Sequence, residues 1–193
     1  GGMALTNDHG LARKMELLRS HAITRDPDEM SSDRAGDRWY YEQVELGFNY
    51  RMTDIHAALG LSQLRKLHGF IAKRQRLADR YKELLRDLPI DLPVVKEGVT
   101  SSFHLFVIRL RLDEVSRSYE EIFNGLLDSG IGVNLHYIPV YLQPYYQQLG
   151  FCKGYCPNAE SYYESAISLP IFPDLDSDAQ ETVANALRRE VRK

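Results

Sequence analysis

The chain has 193 residues, 44% of them hydrophobic, with 24 basic against 27 acidic side chains and a net charge of −3. This is enough apolar material for one large or two small globular domains, and it excludes a disordered or collagen-like chain and any bulk attraction to nucleic acid or anionic membrane. The longest apolar runs are far too short to span a bilayer. The two cysteines, Cys152 and Cys156, sit together in CKGYC without a second Cys or His pair at zinc-site spacing, so no metal site is expected. With no signal peptide visible, they suit a reducing compartment, and the expected location is cytoplasmic.

Met3 to Thr6 reads as a short strand that begins abruptly, an odd place to open a domain. Gly1-Gly2-Met3 can also be read as an expression scar, and a cut chain is the expectation. Leu11, Met15, Leu18 and Ala22 then recur at helical spacing, predicting an amphipathic helix packed on that strand. From Thr24 to Gln43 the pattern dissolves into a long polar loop ending in Trp39, Tyr40 and Tyr41. After ELGFNYRM, Thr53 is a good N-cap and Asp54 places a negative charge in the first turn of a helix. That helix is apolar on most sides, with Ala57, Ala58 and Gly60 permitting close approach, and is expected to be buried.

From Gly69 the stripe Phe70, Leu77, Tyr81, Leu84, Leu85 and Leu88 predicts a long helix with a basic opposite face, Lys73, Arg74, Arg76, Arg80 and Lys82. A solvated face is preferred there over nucleic-acid binding. Pro89 and Pro93 end the segment, which sets a domain boundary near Leu88: residues 1–88 and 89–193. Phe103 to Leu112 alternates so that His104, Phe106, Ile108, Leu110 and Leu112 share one strand face. Ser118-Tyr119-Glu120-Glu121 is a capping box, and Gly130 is the stop of its helix. A second strand is predicted over Gly132 to Tyr137, a helix from Asn158 through Ile167, and a last helix behind a capping box at Ser177 to Gln180. The first half is thus mostly helical and the second a small α+β layer domain, joined by the long helix.

Three stretches combine groups that packing alone does not explain: WYYEQVELGFNYR, SSFHLF and VNLHYIPVYLQPYY. Asn49 offers amide donors and Arg51 a charged fork, both suited to an anion such as phosphate; equally, Asn49 can be a turn residue and Arg51 a surface ion-pair partner. His136 and Tyr137 lie at a strand end before Pro139, from which an imidazole can donate to a phosphate or sugar and a tyrosine ring can stack. A structural histidine fits the same pattern. His104, on an otherwise apolar face, reads first as a buried histidine with one hydrogen bond. No Ser-His-Asp triad, phosphate-binding loop or dinucleotide fingerprint is present.

GFNYRMTDIHAALGLSQL resembles the DegT-type family of pyridoxal-phosphate-dependent nucleotide-sugar aminotransferases. GGMALTND, LLRSHAI, SSFHLF, GIGVNLHYIPVYLQPYYQQLG and AESYYESAISLPIFPDL are similar to further family segments in the same order. The resemblance implies the C-terminal part of an α/β, fold-type-I pyridoxal-phosphate transferase: the helical end of the large domain in 1–88, with the linking helix, and a small α+β domain in 89–193. HYIP and SYYESAISLPIF are most similar to members that aminate C4 of a UDP-linked 4-keto-6-deoxy sugar in pseudaminic acid biosynthesis, with glutamate as amino donor.

Family members are homodimers, and the resemblance implies that Asn49 reaches across to the partner's cofactor phosphate, with Arg51 supporting it. His136, Tyr137, Tyr40 and His104 are implied near the sugar nucleotide, with Trp39, Tyr40 and Tyr41 covering the site. The family's Schiff-base lysine would precede Gly1, and none of the chain's own lysines is in a context to replace it. The chain alone is therefore expected to carry no catalytic residue and not to transaminate. A stand-alone, noncatalytic nucleotide-sugar-binding or dimerisation domain, or a subunit of a split enzyme, is the alternative.

Overall fold

The α-helices within the first 65 residues, unlike the long helix that follows them, bury none of their residues. The computed structural model describes residues 2–34 and 36–192; Gly1, Ala35 and Lys193 lie outside the described residues. The chain divides into two units, Gly1–Arg65 and Lys66–Lys193.

In the first unit, helix α1 (His9–Leu18) starts on Asp8, whose carboxylate accepts from Leu11 N at 2.9 Å. The expected stripe holds to Leu18 but not to Ala22, because His21 and Ala22 adopt left-handed φ angles of 64° and 54° and turn the chain out of the helix. Strands β1 (Ile23–Thr24) and β2 (Glu42–Gln43) pair antiparallel, with an outlying bridge between Ser20 and Asn49. The expected opening strand does not form: Met3 to Thr6 are exposed, and a strand lacking a neighbour has no ladder for its N–H and C=O groups. Helix α2 (Asp54–Leu64) begins on Thr53 as predicted, the hydroxyl accepting from His56 N at 3.3 Å. Its expected burial is wrong. None of its residues is buried, and Ile55 is 82% exposed. An all-round apolar helix needs layers on several sides, and among the described residues of this unit only Ala22 and Thr24 are buried.

The polar loop between β1 and β2 is held by two carboxylates. Glu29, in a 3-10 turn, accepts from Arg13 Nε and Thr24 Oγ1, each at 2.6 Å. These bonds, Arg13 first, pull its carboxyl down to about 2. Glu42 accepts from Ser31 N and Ser32 N at 2.8 and 2.9 Å.

The second unit carries the core. Helix α3 (Leu67–Leu85) buries Ala78, Tyr81 and Leu85, and packs on α7 (Ser177–Val191). The expected boundary near Leu88 therefore falls inside this unit, because α3 shares its core. The three-stranded antiparallel sheet runs β3 (Ile90–Asp91), β4 (Phe106–Leu110), β5 (Ala166–Leu169). Phe106 opposes Leu169 and Ile108 opposes Ile167, and these meet Tyr81, Ile122, Leu126 and Leu187 in one cluster. Helix α4 (Tyr119–Asp128) has the full capping box on Ser118 and Glu121, and Gly130 follows at a φ of 77°.

Four boundaries in this unit differ from expectation. Strand β4 starts at Phe106 rather than Phe103, because Phe103 turns the chain at a φ of 44°. The strand expected over Gly132 to Tyr137 shrinks to one bridge between Asn134 and Ser168, since Asn134 Oδ1 takes the Leu135 N–H at 2.7 Å. After the short α5 (Pro144–Gln148), helix α6 (Pro157–Tyr163) is preceded by Cys156 rather than capped by Asn158, and Ile167 lies in β5, not in a helix. Finally, α7 is capped by Asp176, which accepts from Ala179 N at 2.8 Å, one residue before the expected Ser177. Gln180 is freed to donate from within the core to Leu77 O at 2.6 Å.

Candidate functional site

Two sets of candidate residues stand in the two units. In the first, residues 42–50 run beside the turn after α1. Phe48 N donates to Leu18 O at 2.7 Å, His21 N to Phe48 O at 2.8 Å and Tyr50 N to Arg19 O at 2.9 Å. Gly47 is required for this approach: a Cβ there would lie 2.8 Å from His21 Cα and closer still to His21 C and Ala22 N. In extended backbone, neighbouring side chains alternate. Phe48 and Tyr50 stack with centroids 5.0 Å apart, which puts Asn49 on the other side. The aromatics thus brace the segment that presents Asn49.

Asn49 and Arg51 are exposed. Among the described residues neither side chain has a hydrogen-bond or ion-pair partner, so both retain their donors for an external anion. Of the two readings open in the sequence, the surface ion pair for Arg51 does not form. Tyr40 is half-buried and its hydroxyl donates to Glu42 at 3.2 Å. Trp39 is 61% exposed, with the Arg34 guanidinium 4.6 Å from its ring centroid.

In the second unit, the segment after α4 is fastened to the free edge of β5. Asn134 exchanges two backbone hydrogen bonds with Ser168 (2.8 and 3.2 Å). His136 Nδ1 lies 2.8 Å from Ser168 Oγ. The His136–Tyr137 peptide is cis, and the two rings meet edge to face at 4.8 Å. His136 is half-buried while Tyr137 is 71% exposed. Downstream, the Tyr141 hydroxyl donates to the buried Glu160 at 2.6 Å, which also accepts from Gly154 N at 2.7 Å. Desolvation, then the Glu160 carboxylate, pushes the Tyr141 hydroxyl up to about 12.

His104 is not the buried histidine expected. It is exposed and precedes β4, its carbonyl accepting from Arg74 Nη1 at 3.1 Å together with those of Phe103 and Ile171. Arg74 is thereby taken out of the supposed solvated basic face of α3. Three of its neighbours are neutralised: Lys73 by Asp174 at 3.1 Å, Arg80 by Glu181 at 2.6 Å and Lys82 by Asp79 at 3.2 Å.

Ser168 and Arg74 escaped the sequence reading. A serine inside the apolar run AISLPIF was the available signal for Ser168, but Arg74 matched its surface neighbours too well. None of the described lysines is buried; Lys193 lies outside the described residues. Among the described residues no helix is long and apolar enough to cross a membrane, and no His, Cys, Asp and Glu group could hold a metal ion.

This is a mixed α/β chain with exposed, unpaired anion donors in one unit and a pinned imidazole beside an open aromatic ring in the other. A model of the DegT/DnrJ/EryC1/StrS aminotransferase family matches residues 1–188, and the chain belongs to that family. It is 34% identical over 189 residues to the UDP-4-amino-4,6-dideoxy-N-acetyl-beta-L-altrosamine transaminase of Campylobacter jejuni, covering 97% of this chain and 47% of that protein. It is 33% identical over 195 residues to the spore coat polysaccharide biosynthesis protein SpsC of Bacillus subtilis, covering 100% and 50%.

Among solved structures, PseC of Helicobacter pylori, an aminotransferase involved in the biosynthesis of pseudoaminic acid, superposes with a TM-score of 0.82 at 31% identity, covering 96% of this chain and 47% of that one. The PLP form of Spr1654 of Streptococcus pneumoniae gives 0.82 at 27% identity, covering 98% and 45%. The chain spans about half the length of the curated relatives it matches.

Proposed function

We propose that the chain is the C-terminal portion of a pyridoxal-phosphate-dependent aminotransferase that moves an amino group from glutamate to C4 of a UDP-linked 4-keto-6-deoxy sugar. On this reading, residues 1–88 close the large domain and 89–193 form the small one, with α3 as the link that belongs to the first by sequence and packs into the core of the second. The complete protein is a cytoplasmic homodimer. The observation that carries the reading is the unpartnered Asn49 and Arg51 pair, fixed by the Gly47 approach in a chain whose family is established.

The cofactor fits these residues at its phosphate end: an amide and a guanidinium, exposed and free of internal partners, are the donor types a phosphate dianion takes up. When bound, the cofactor supplies the electron sink for amino-group transfer. Asn49 binds and orients the phosphate across the subunit interface, and Arg51 adds a charge that weakens with salt. His136 and Tyr137 engage the sugar nucleotide by a hydrogen bond and by ring contact, with Tyr40 and His104 at its edge. The aminating lysine lies outside these residues, so the chain alone binds the cofactor poorly and does not transaminate.

The test is the product formed from a UDP-4-keto sugar and glutamate by the longer open reading frame, compared with this chain. Amino sugar is expected from the longer protein alone, with Asn49→Ala loosening its hold on the cofactor. A folded, dimeric longer protein that binds no cofactor, or turnover by this chain alone, would overturn the reading. The core confined to residues 66–193 favours a noncatalytic binding domain as the second reading, and UDP binding by a folded longer protein that takes up no cofactor would point there.

A further inference from the structure

Ser168 is buried on β5, with a backbone fully engaged by Asn134. Its hydroxyl has one partner among the described residues, His136 Nδ1 at 2.8 Å. A buried hydroxyl without an acceptor is costly, and this one has no other acceptor to turn to. It therefore donates. A ring nitrogen that accepts carries no proton, so the neutral imidazole keeps its proton on Nε2. That nitrogen has no hydrogen-bond partner among the described residues.

We infer that Ser168 is a positioning residue that locks His136 as the Nε2–H tautomer and so makes its unpartnered nitrogen a fixed donor to an acceptor oxygen of a bound nucleotide, a phosphoryl or sugar oxygen. This rests on the reading of His136 as a sugar-nucleotide contact. The geometry supports a donor because three attachments hold the ring's segment to one buried residue: two Asn134 backbone bonds and the Nδ1 contact. The ring meets its ligand already oriented, and little freedom is lost on binding. Were the polarity reversed, with Nδ1–H donating to Ser168, Nε2 would be an acceptor and would repel phosphoryl oxygens.

The experiment is long-range 1H–15N correlation on the 15N-labelled full chain at a pH where imidazole is neutral, with His136 assigned by its loss in His136→Gln. The expected wild-type ring is a single Nε2–H tautomer with a hydrogen-bonded Nδ1. Ser168→Ala is expected to give a mixture, and Ser168→Thr, which keeps the hydroxyl, to restore the single form. An Nδ1–H or mixed ring in the wild type overturns the inference without any variant, so misfolding of Ser168→Ala cannot shield it. An unchanged ring in folded Ser168→Ala overturns it too.

UDP is the ligand probe. It is expected to shift the His136 Nε2 resonance, with affinity falling roughly three- to tenfold in Ser168→Ala, the worth of one hydrogen bond, and recovering in Ser168→Thr. Equal affinity in Ser168→Ala despite a mixed ring would remove the positioning role. UDP that leaves His136 undisturbed would instead overturn the sugar-nucleotide reading of His136, while the tautomer result still decides what Ser168 does.

Discussion

The two units hold their shape by different means. Residues 66–193 bury a contiguous cluster around Tyr81, Phe106, Ile108 and Leu187, whereas the first unit buries Ala22 and Thr24 and leaves Leu46, Ile55, Leu59 and Leu64 exposed. The second unit rests on apolar burial, the dominant favourable term in folding. The first rests on backbone pairing, a close glycine contact and carboxylates that gather loop N–H groups. Apolar sequence by itself therefore does not make a core. A helix that is apolar on most sides needs neighbours on several sides, and the described residues of its own unit do not bury any residue of α2.

The sharpest way to test this contrast is Phe106→Ala. Phe106 is fully buried beside Tyr81 and Phe103, and its truncation should cost about 3–5 kcal/mol, read as a lowered urea midpoint for the second unit. A loss below about 1 kcal/mol would mean that the cluster is not the stabilising centre. Next come two glycines. Gly125→Ala would bring a Cβ to 2.7 Å from the Glu190 carboxyl carbon and closer still to Oε2, in a helix interface where Glu190 is already paired with Arg117. Gly47→Ala would do the same to the His21–Ala22 backbone.

Gly47→Ala, which meets backbone, should cost about 1–3 kcal/mol through overpacking, and Gly125→Ala less, because the Glu190 carboxylate ends a side chain that can turn aside and alanine favours the helix by about 1 kcal/mol. Gly47→Ala is expected to abolish amide exchange protection at His21, Phe48 and Tyr50 while leaving protection in β4 and β5 intact. Equal loss in both units would show that they unfold as one and dissolve the comparison.

A smaller effect follows from Glu29. Its carboxyl is depressed from 4.5 to about 2, so its contribution is fully present above 4.5 and disappears as pH falls toward 2. Fluorescence of Trp39, the chain's one tryptophan, together with a 13C titration of Glu29, should show the loop loosening in that window, and Arg13→Met should move the Glu29 midpoint upward. A wild-type midpoint near 4.5 would contradict the Arg13 and Thr24 contacts. The smallest change is expected from Ile55→Ser on α2, within about 0.5 kcal/mol for this chain, with reduced self-association in sedimentation. A large destabilisation would mean that α2 is packed after all.

The candidate site was legible where local chemistry speaks. Asn49 and Arg51 stand out as donors between aromatics before a well-capped helix, and His136 and Tyr137 as a polar pair at an extended segment's end. Ser168 was not legible, because its meaning comes from a partner 32 residues away. His104 misled, since alternation carried the strand back past a left-handed Phe103 that no periodicity reveals.

By itself the sequence determined the local events. Thr53 and Ser118 cap their helices because a hydroxyl within three residues of an orphan N–H needs nothing distant. The Tyr81 stripe and the Phe106–Leu110 alternation likewise set which faces turn inward. Only the tertiary structure decided which apolar faces find cover, where an isolated bridge replaces a strand, and which neighbour fixes an imidazole. Those outcomes depend on surfaces brought together from far apart in the chain. Burial and hydrogen-bond partnership are properties of such pairs of surfaces, and a one-dimensional pattern shows only one member of each.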